Sequence, residues 1–282
     1  MAERLVEVSA QIQNVHQLEA VVTALRGIGA SRAQRARSLL AGIDAYSAVV
    51  SRAIGQALTL MPADFRSPKE RRRDGTGLIL FCAEQGFAGA FSERVLSDAG
   101  TDLAMTIVIG TRGLAVARER GLVPSWSAPM ASHVDAVPSL ASNIADALYE
   151  QITRGGPSTI DMIVPRSTSG GGVRIDRDSL LPLDLTRFAR TSETLPPLTT
   201  LKPQELLERL TAEYVYARLC EAAMHAYEAE NQARMMTMTA ARHNIGTRLA
   251  GLRLREQELR QEEITNEIVE LAAGAEALRG VR

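Results

Sequence analysis

The chain has 282 residues and a formal net charge of −1, with 45% hydrophobic and 23% charged residues. This balance is typical of a soluble globular chain of one or two domains. The near-zero charge argues against a dedicated nucleic-acid binder, because no basic excess is available to neutralise phosphates. Aromatic residues make up only 4%, so we expect a core of Ala, Val, Leu and Ile, which suits packed helices.

The sequence carries no signal for export or membrane insertion. Residues 1–4 have no apolar run behind them, which predicts that there is no signal peptide. No run of about 18 apolar residues is present, so no membrane-spanning helix is expected. Cys82 and Cys220 lie in different segments without metal-ligand spacing, which favours two reduced thiols over a disulfide.

The first part of the chain has the pattern of one long helix. Proline is absent before Pro62, and apolar residues recur at steps of three and four. They are Leu5, Val8, Ile12, Val15, Leu18, Val22, Leu25 and Ile28. We therefore predict a helix from about residue 3 to about residue 60, within an N-terminal segment 1–61. Its four glycines, Gly27, Gly29, Gly42 and Gly55, indicate either close approach to another helix or a locally weaker helix.

The middle of the chain, after a linker over residues 62–75, changes to short apolar runs separated by helical patterns. The predicted strands are residues 77–83, 105–110, 161–165 and 173–176, and the predicted helices are residues 91–99, 112–120 and 138–154. Strands that alternate with helices of this length imply βαβ units and a largely parallel sheet. We therefore predict a small Rossmann-like α/β domain over residues 75–190.

The last part of the chain, after a second linker over residues 191–200, reads as one very long helix over residues 203–282. The predicted fold class is therefore α/β plus a long antiparallel coiled coil, in which the N- and C-terminal helices pair around the inserted domain. Near the C-terminus, apolar residues recur at steps of 4 and 3, a spacing that keeps one seam facing a partner helix. These are Ile264, Ile268, Leu271, Ala275 and Leu278. Because this helix is the longer one, its tip is expected to extend past its partner and to need another protein around it.

The sequence offers little catalytic chemistry. Gly86 and Gly89 follow a predicted strand, but G-x-G-x-x-G is absent, so a simple strand-to-helix turn is favoured over a dinucleotide site. The four histidines are dispersed, which disfavours a metal site. We expect no cofactor, no metal and no catalytic residue. Two alternatives remain open: a free-standing coiled-coil scaffold, and a nucleotide-dependent enzyme built on the α/β domain.

The C-terminal helix resembles the signature of the gamma subunit of F-type ATP synthases. The resemblance lies in residues 231–244, in Arg260-Gln261, in residues 264–268 and in residues 274–278. It extends over the whole chain, through the first helix and the turn 86–91. The chain departs from the family at residues 9–11, Leu25, Ala88 and residues 256–257, which suggests a divergent member, such as an alternative second-copy ATPase.

The resemblance implies a central rotor stalk that transmits torque between a membrane c-ring and a catalytic ring of alpha and beta subunits. It implies no catalytic group in this chain, and contacts with the alpha, beta and epsilon subunits and the c-ring, but none with nucleic acid. It places the complex at the cytoplasmic face of the bacterial inner membrane, where this chain is peripheral and touches the membrane only indirectly. The residues expected to contact the ring are Arg260, Gln261, Thr265, Glu267, Leu25, Leu271 and Leu278.

Overall fold

A computed structural model of the chain describes residues 2–62, 75–100, 103–188 and 198–279, with only the helical backbone at residues 2, 3 and 274–279. In chain order the elements are α1 (Ala2–Thr59), β1 (Thr76–Phe81), α2 (Phe91–Ser97), β2 (Leu103–Ile109), α3 (Thr111–Glu119), β3 (Trp126–Ala128), α4 (Val137–Thr153), β4 (Thr159–Ser167), β5 (Val173–Leu181) and α5 (Pro203–Arg279). Short 3₁₀ helices lie at Val134–Ala136 and Leu185–Arg187. The predicted order of helix, α/β domain and helix is confirmed. Most of both predicted linkers lies outside the described residues.

The sheet is the predicted Rossmann-like arrangement, with strand order β3-β2-β1-β4-β5. The pairs β3–β2, β2–β1 and β1–β4 are parallel, whereas β4 and β5 form an antiparallel hairpin. Two features differ from the prediction. Strand β3 has only three residues, too few to show an alternating pattern, and β5 extends to Leu181 because its charged residues continue the alternation.

Side chains of the central strands alternate between two cores, as the pleat of a strand requires. Ile79 and Phe81 point to the side covered by α4 and by the middle of α5. Leu78 and Leu80 point to the opposite side, which α2 and α3 cover. The sheet is thus buried on both faces, as expected for parallel strands.

The chain forms two compact units, and both long helices contribute to each. One unit contains Met1–Ile28 and Met236–Arg282, and the other contains Gly29–Met235. In the first, Val22 packs with Met238, Ile245 and Leu249. The second unit contains the sheet with its two cores and also a separate apolar cluster that includes Ile54 and Leu207. N- and C-terminal helices therefore pair within each unit, as predicted.

The buried seam of α1 includes most of the predicted apolar series but differs from it at two positions. Its less exposed positions recur at strict steps of 4 and 3, which is the coiled-coil period. These positions are Val8, Ile12, Val15, Glu19, Val22, Arg26, Gly29, Ala33, Ala36, Leu40, Ile43, Ser47, Val50, Ile54 and Ala57. Val8, Ile12, Val15 and Val22 of the predicted apolar series lie on this seam. Leu18 and Ile28, from the same series, are 51% and 49% exposed, and the neighbouring Glu19 and Gly29 lie on the seam instead.

The glycines of α1 divide between the two predicted readings. A Cβ added to Gly29 would lie 3.1 Å from the backbone oxygen of Asn231 on α5, so a side chain there would crowd the two helices. A Cβ added to Gly27 or Gly42 would meet no heavy atom within 4 Å. Close approach therefore explains Gly29, whereas local weakening of the helix describes Gly27 and Gly42.

Candidate functional site

The carboxyl ends of the parallel strands form the place where a fold of this topology would bind a ligand. Here the side chain of Glu84, from the turn after β1, fills it. One carboxylate oxygen accepts hydrogen bonds from the backbone N–H groups of Thr111, at 3.0 Å, and Met130, at 2.7 Å. The other accepts from the Thr111 hydroxyl at 2.8 Å. The N-terminus of α3, which attracts anions, thus already holds a carboxylate of the same chain.

A second carboxylate, from α5, holds the same turn from the other side. Glu230 accepts the backbone N–H groups of Glu84, at 3.0 Å, and Gln85, at 3.1 Å. It also pairs with Arg234, whose Nε donates to the carbonyl oxygen of Gly86 at 3.2 Å. Glu230 and Arg234 are 2% and 5% exposed, so this pair is shielded from water. We call Glu230, Asn231 and Arg234 the clamp.

The clamp completes its own hydrogen bonding. Arg234 Nη1 donates to Asn231 Oδ1 at 3.0 Å, and Asn231 Nδ2 donates to the carbonyl oxygen of Tyr227 at 2.8 Å. A buried charge is tolerated when it is paired and its remaining donors are satisfied. Asn231 and Arg234 lie in the stretch 231–244 that resembles the family signature, but the sequence alone did not predict their contact with the turn 84–86. The available signal was a Glu and an Arg four residues apart inside a stretch of α5 that is otherwise rich in alanine.

Near these contacts, the Cys82 thiol and the potential metal-ligating side chains can be assessed for their chemistry. Burial raises the pKa of the Cys82 thiol to about 12, with the Glu230 and Glu93 carboxylates adding to the effect, so this thiol is a poor nucleophile. In the part of the chain that the structure describes, no group of three or more His, Cys, Asp or Glu side chains could hold a metal ion. The turn 84–89 connects β1 to α2, and the carboxylates of Glu84 and Glu230 accept the hydrogen bonds of its surrounding backbone N–H groups.

The other candidate site is the surface formed by α5 near its C-terminal end. In the part of α5 that precedes this surface, polar as well as apolar contacts join α1 and α5. The Ser9 hydroxyl donates to Glu256 at 2.7 Å, and an Arg253 N–H meets His16 Nε2 at 3.0 Å. These contacts join the two helices within the unit formed by residues 1–28 and 236–282.

Leu259 is the last buried side chain on the described part of α5. The α5 seam that faces α1 follows steps of 4 and 3, through Ile245, Leu249, Leu252, Glu256, Leu259 and Glu263. The apolar stripe Ile264, Ile268 and Leu271 is instead exposed by 51%, 61% and 74%. At 3.6 residues per turn this stripe lies roughly a third of a turn around the helix from the seam. Helix α1 is therefore not the partner of this stripe, which leaves it available to another protein.

Most of the predicted ring-contact residues lie on this exposed tip. Arg260, Gln261, Thr265 and Glu267 are all exposed. Thr265 donates its hydroxyl to the backbone oxygen of Gln261 at 2.8 Å. Within the described residues, Arg260 and Glu267 take part in no ion pair, although they are seven apart and share a face. Both charges are thus free to meet a partner.

The three predicted leucines lie in different surroundings. Leu271 belongs to the exposed stripe. Leu25 is half-buried and packs against the cluster of Val22, Met238, Ile245 and Leu249, so only part of its side chain faces outward. The side chain of Leu278 lies outside the described residues. The contacts of all three with a ring stay a prediction.

No described helix combines the length and the apolar character that crossing a membrane requires. The sequence matches the family model described as ATP synthase over residues 4–278. It is similar to the ATP synthase gamma chain of Clavibacter michiganensis subsp. michiganensis, with 26% identity over 299 residues and 99% of each chain covered. The ATP synthase gamma chain of Streptomyces griseus subsp. griseus is 27% identical over 289 residues, with 95% of this chain and 94% of the relative covered.

Solved structures show the same fold. The rotor of the Euglena gracilis mitochondrial ATP synthase in rotational state 1 matches with a TM-score of 0.63 and 11% identity, covering 94% of this chain and 100% of that chain. A chain in the OSCP/F1/c-ring structure of the same enzyme, in rotational state 3, matches with a TM-score of 0.64 and 10% identity, covering 99% and 95%. At such identities the likeness concerns the fold.

Proposed function

Since the chain belongs to the ATP synthase family, we propose that it is the central rotor stalk, or gamma subunit, of an F-type ATP synthase. In this role it transmits torque between a membrane c-ring and a catalytic ring of alpha and beta subunits. The match to gamma chains over 99% of both sequences supports this assignment. Turning the stalk by ion flow drives ATP synthesis, and turning it by ATP hydrolysis drives ion pumping.

One structural observation carries the proposal. The stripe of Ile264, Ile268 and Leu271 is exposed on a helix whose last buried side chain is Leu259. Exposed apolar side chains in a continuous stripe mark a surface that meets another protein. A ring that surrounds the end of α5 would cover this stripe and exclude water from it.

The tip also has the chemical asymmetry that a rotor needs. Its apolar stripe lies on one side, and the continuation of the α5 seam on another side carries Glu263, Asn266 and Glu270. As the stalk turns, each catalytic subunit meets a different surface in turn. Mechanical coupling requires such a difference, because a partner that makes equal contacts with two states cannot shift the balance between them.

Arg260 and Gln261 act in this proposal as a catch that holds the stalk at a dwell, with Thr265 and Glu267 in the same zone. The exposure of all four side chains supports this assignment. An acidic loop of the ring is a suitable partner for Arg260, because a guanidinium binds carboxylates through two parallel hydrogen bonds.

The chain supplies no catalytic group of its own in this proposal, and ATP chemistry belongs to the alpha and beta subunits. The filled edge of the sheet, where Glu84 takes the place of an anionic ligand, supports this division of labour. The α/β domain is assigned contacts with the epsilon subunit and the c-ring. The complex then lies at the cytoplasmic face of a bacterial inner membrane, and this chain touches the membrane only through its partners.

Co-purification tests the assignment. The full chain carrying an affinity tag is expressed in its own host, and the proteins that it retains are identified by mass spectrometry. We expect alpha and beta subunits with nucleotide-binding Walker sequences, together with epsilon. Recovery of the chain without alpha and beta would overturn the rotor assignment and would favour a free-standing coiled-coil scaffold.

A double variant tests the catch. Arg260→Ala combined with Gln261→Ala is expected to leave the complex assembled and to slow ATP-driven rotation about ten-fold, as loss of one charge-assisted contact of about 1.4 kcal/mol would. Single-molecule rotation of the purified complex measures the effect. Unchanged turnover and torque would show that these residues are not the catch.

A further inference from the structure

Within residues 222–229, most of the buried apolar side chains that α5 contributes to the domain are alanines. Ala222, Ala223 and Ala226 lie in the core on the α4 side of the sheet, and Ala229 lies in the core on the opposite side. Apolar contact is non-directional. An alanine also keeps its methyl group close to the helix axis, where a given rotation of the helix displaces atoms least. These contacts therefore hold α5 in place but resist its rotation about its own axis only weakly.

The clamp provides directional contacts immediately after these alanines. Glu230 accepts the backbone N–H groups of Glu84 and Gln85, at 3.0 Å and 3.1 Å. Arg234 donates to the carbonyl oxygen of Gly86 at 3.2 Å. Three consecutive residues of the turn are thus bonded to one helix, and hydrogen bonds, unlike apolar contacts, have a preferred length and angle.

Rotation of α5 about its axis would break these hydrogen bonds after a small angle. A helix with its side chains is about 10–12 Å across, so the polar atoms of the clamp lie about 5–6 Å from the helix axis. A rotation of about 10° moves such atoms by about 1 Å, which stretches a bond of about 3 Å beyond hydrogen-bonding range. The clamp therefore limits the rotation of α5 relative to the turn to less than about 10°.

The turn connects the clamp to the rest of the sheet. It directly follows β1, the central strand. Glu84 is bonded to α5 through its backbone N–H, while its side chain accepts the backbone N–H groups of Thr111, at the start of α3, and Met130, which follows β3. Energetic coupling travels through contiguous hydrogen-bonded networks of this kind. A force on α5 is thus passed to several elements of the domain.

Burial keeps the clamp rigid. Glu230, Asn231 and Arg234 are 2%, 2% and 5% exposed, so water does not compete for their hydrogen bonds. A fully satisfied polar network in such surroundings rigidifies the structure around it. The side chains of Arg166 and Glu221, which form an ion pair between β4 and α5, are by comparison 19% and 12% exposed.

From these contacts we propose that Glu230 and Arg234 are the residues that transmit torque between the α/β domain and α5. The inference rests on the proposed function, in which the domain turns with the c-ring and α5 carries the tip. Helix α5 continues without a break over Pro203–Arg279, so torque taken up at the clamp reaches Arg260 along one helix. Glu230 and Arg234 act through other parts of the chain and are positioning residues.

A variant that removes both charges tests this role. Glu230→Gln combined with Arg234→Met leaves neither partner of the pair as an unpaired buried charge. The complex carries a gold nanorod on its c-ring, its catalytic ring is fixed to a surface, and a non-hydrolysable ATP analogue stalls rotation. We expect the variance of the rod's angle to rise about two-fold or more, because loss of the rigid polar network leaves α5 freer to twist.

Three further variants separate torque transmission from stability. Val95→Ala, at a side chain on α2 that is 0% exposed, should lower the melting temperature of the isolated full chain without changing the angular variance. Arg209→Met breaks an ion pair that stays within α5 and should change neither quantity. Arg234→Lys keeps a positive charge beside Glu230 but lacks the planar fork of the guanidinium, so it should raise the variance less than the double variant does.

An angular variance that stays at the wild-type value in both the double variant and Arg234→Lys would overturn the role of the clamp. The role would also be overturned if Val95→Ala raised the variance as much as the double variant, because loss of stability alone would then explain the effect. Where the double variant does not assemble, Arg234→Lys decides the result. If the tagged chain still retains alpha and beta when the variance is unchanged, the rotor assignment stands and this inference alone fails.

Discussion

At the scale of single residues, the same glycine-to-alanine change has opposite expected effects at two helical positions. A Cβ at Gly113, in α3, would lie 2.0 Å from Cys82 Cβ on the edge of β1, whereas a Cβ at Gly27, in α1, would meet no heavy atom within 4 Å. We expect Gly113→Ala to lower the free energy of unfolding by about 1–3 kcal/mol through overpacking. Gly27→Ala should raise it by up to about 1 kcal/mol through helix propensity. Denaturant unfolding of both variants checks the pair, and equal effects would contradict it.

His225, in the middle of α5, gives stability a dependence on pH. Burial lowers its pKa from the ordinary value of 6.5, with Arg166 adding to the effect, while Glu221, Asp44 and Glu228 oppose it. Between the folded and unfolded pKa values, the unfolded chain binds more protons than the folded chain. The free energy of unfolding therefore rises with pH across that window, and falls as the pH drops below 6.5.

His225→Gln removes this group while keeping a polar side chain of similar reach. We expect the stability of the variant to change less steeply than that of the wild type between pH 7 and the lower end of the folding range. Melting temperatures measured across this range in matched buffers test the expectation. His243→Gln, at an exposed position on the same helix, serves as the control. An identical slope for wild type and His225→Gln would show that another group causes the dependence.

At the scale of elements, a cluster of charges fastens α5 to the hairpin of β4 and β5. Arg166 on β4 lies 3.1 Å from Asp178 and 3.3 Å from both Asp176 and Glu221. Arg218 on α5 lies 3.0 Å from Asp178 and 2.8 Å from Glu221. These side chains are between 12% and 23% exposed. They are less buried than a core ion pair but more buried than a surface pair, so water weakens their attraction only in part.

Arg166→Met leaves Asp178 and Glu221 to share Arg218, while Asp176 keeps only the exposed Arg174. We expect the free energy of unfolding to fall by about 2 kcal/mol, somewhat less than for a fully buried pair that loses one partner. Arg209 and Glu205 form an exposed pair at 2.8 Å, and both lie on α5. Breaking this pair by Arg209→Met should lower the free energy of unfolding by less than about 0.5 kcal/mol. Chemical denaturation of both variants compares the two losses. Similar losses would mean that the cluster adds nothing beyond a surface pair.

The sequence predicted these elements well where their pattern was long or strongly apolar. Both long helices, and the strands that contain Leu78, Ile107 and Ile163, follow from absent prolines and from buried apolar runs. The strand at Trp126 was missed, because three residues cannot show a period and its pairing with β2 supplies the stabilisation. The end of β5 was missed because its alternating residues are charged, and their ionic partners lie on β4 and α5.

Parts of the site could be predicted less completely than the fold. The tip stood out because polar and apolar residues alternate densely from Arg260 to Leu271. On α1, Glu19 lies on the buried seam while the neighbouring Leu18 is exposed. Which of two neighbouring stripes is buried depends on the register between helices, and a single helix sequence does not contain that register. The role of the clamp could not be predicted because Glu230 and Arg234 act on a turn far away in the sequence.

At the scale of the whole molecule, the exposed stripe on the tip should matter only in the assembled complex. Ile264→Asp combined with Ile268→Asp changes side chains that are 51% and 61% exposed, so we expect no loss of stability in the isolated chain. In the complex we expect weaker association with the ring, by ten-fold or more, since a charge would be buried against apolar surface. Sedimentation of reconstituted complexes measures this.

Val269→Asp is the control for position on the helix. Its side chain is 60% exposed but points about 100° away from Ile268, off the stripe. A smaller loss of association is expected for this variant. A loss from Val269→Asp equal to that of the double variant would indicate a general effect of negative charge at the tip, and the stripe would then have no special role.

The pairing of the first helix with the last has a consequence for synthesis of the chain. The contact between Ser9 and Glu256 joins residues 247 apart, and ribosomes add about 5–20 residues per second. Roughly 12–50 s therefore pass between emergence of the two partners. During that time the seam of α1 is uncovered, and the sheet lacks Val215, Leu219 and Ala223, which complete one of its cores. The nascent chain thus exposes apolar surface that is prone to aggregation until its final helix leaves the ribosome.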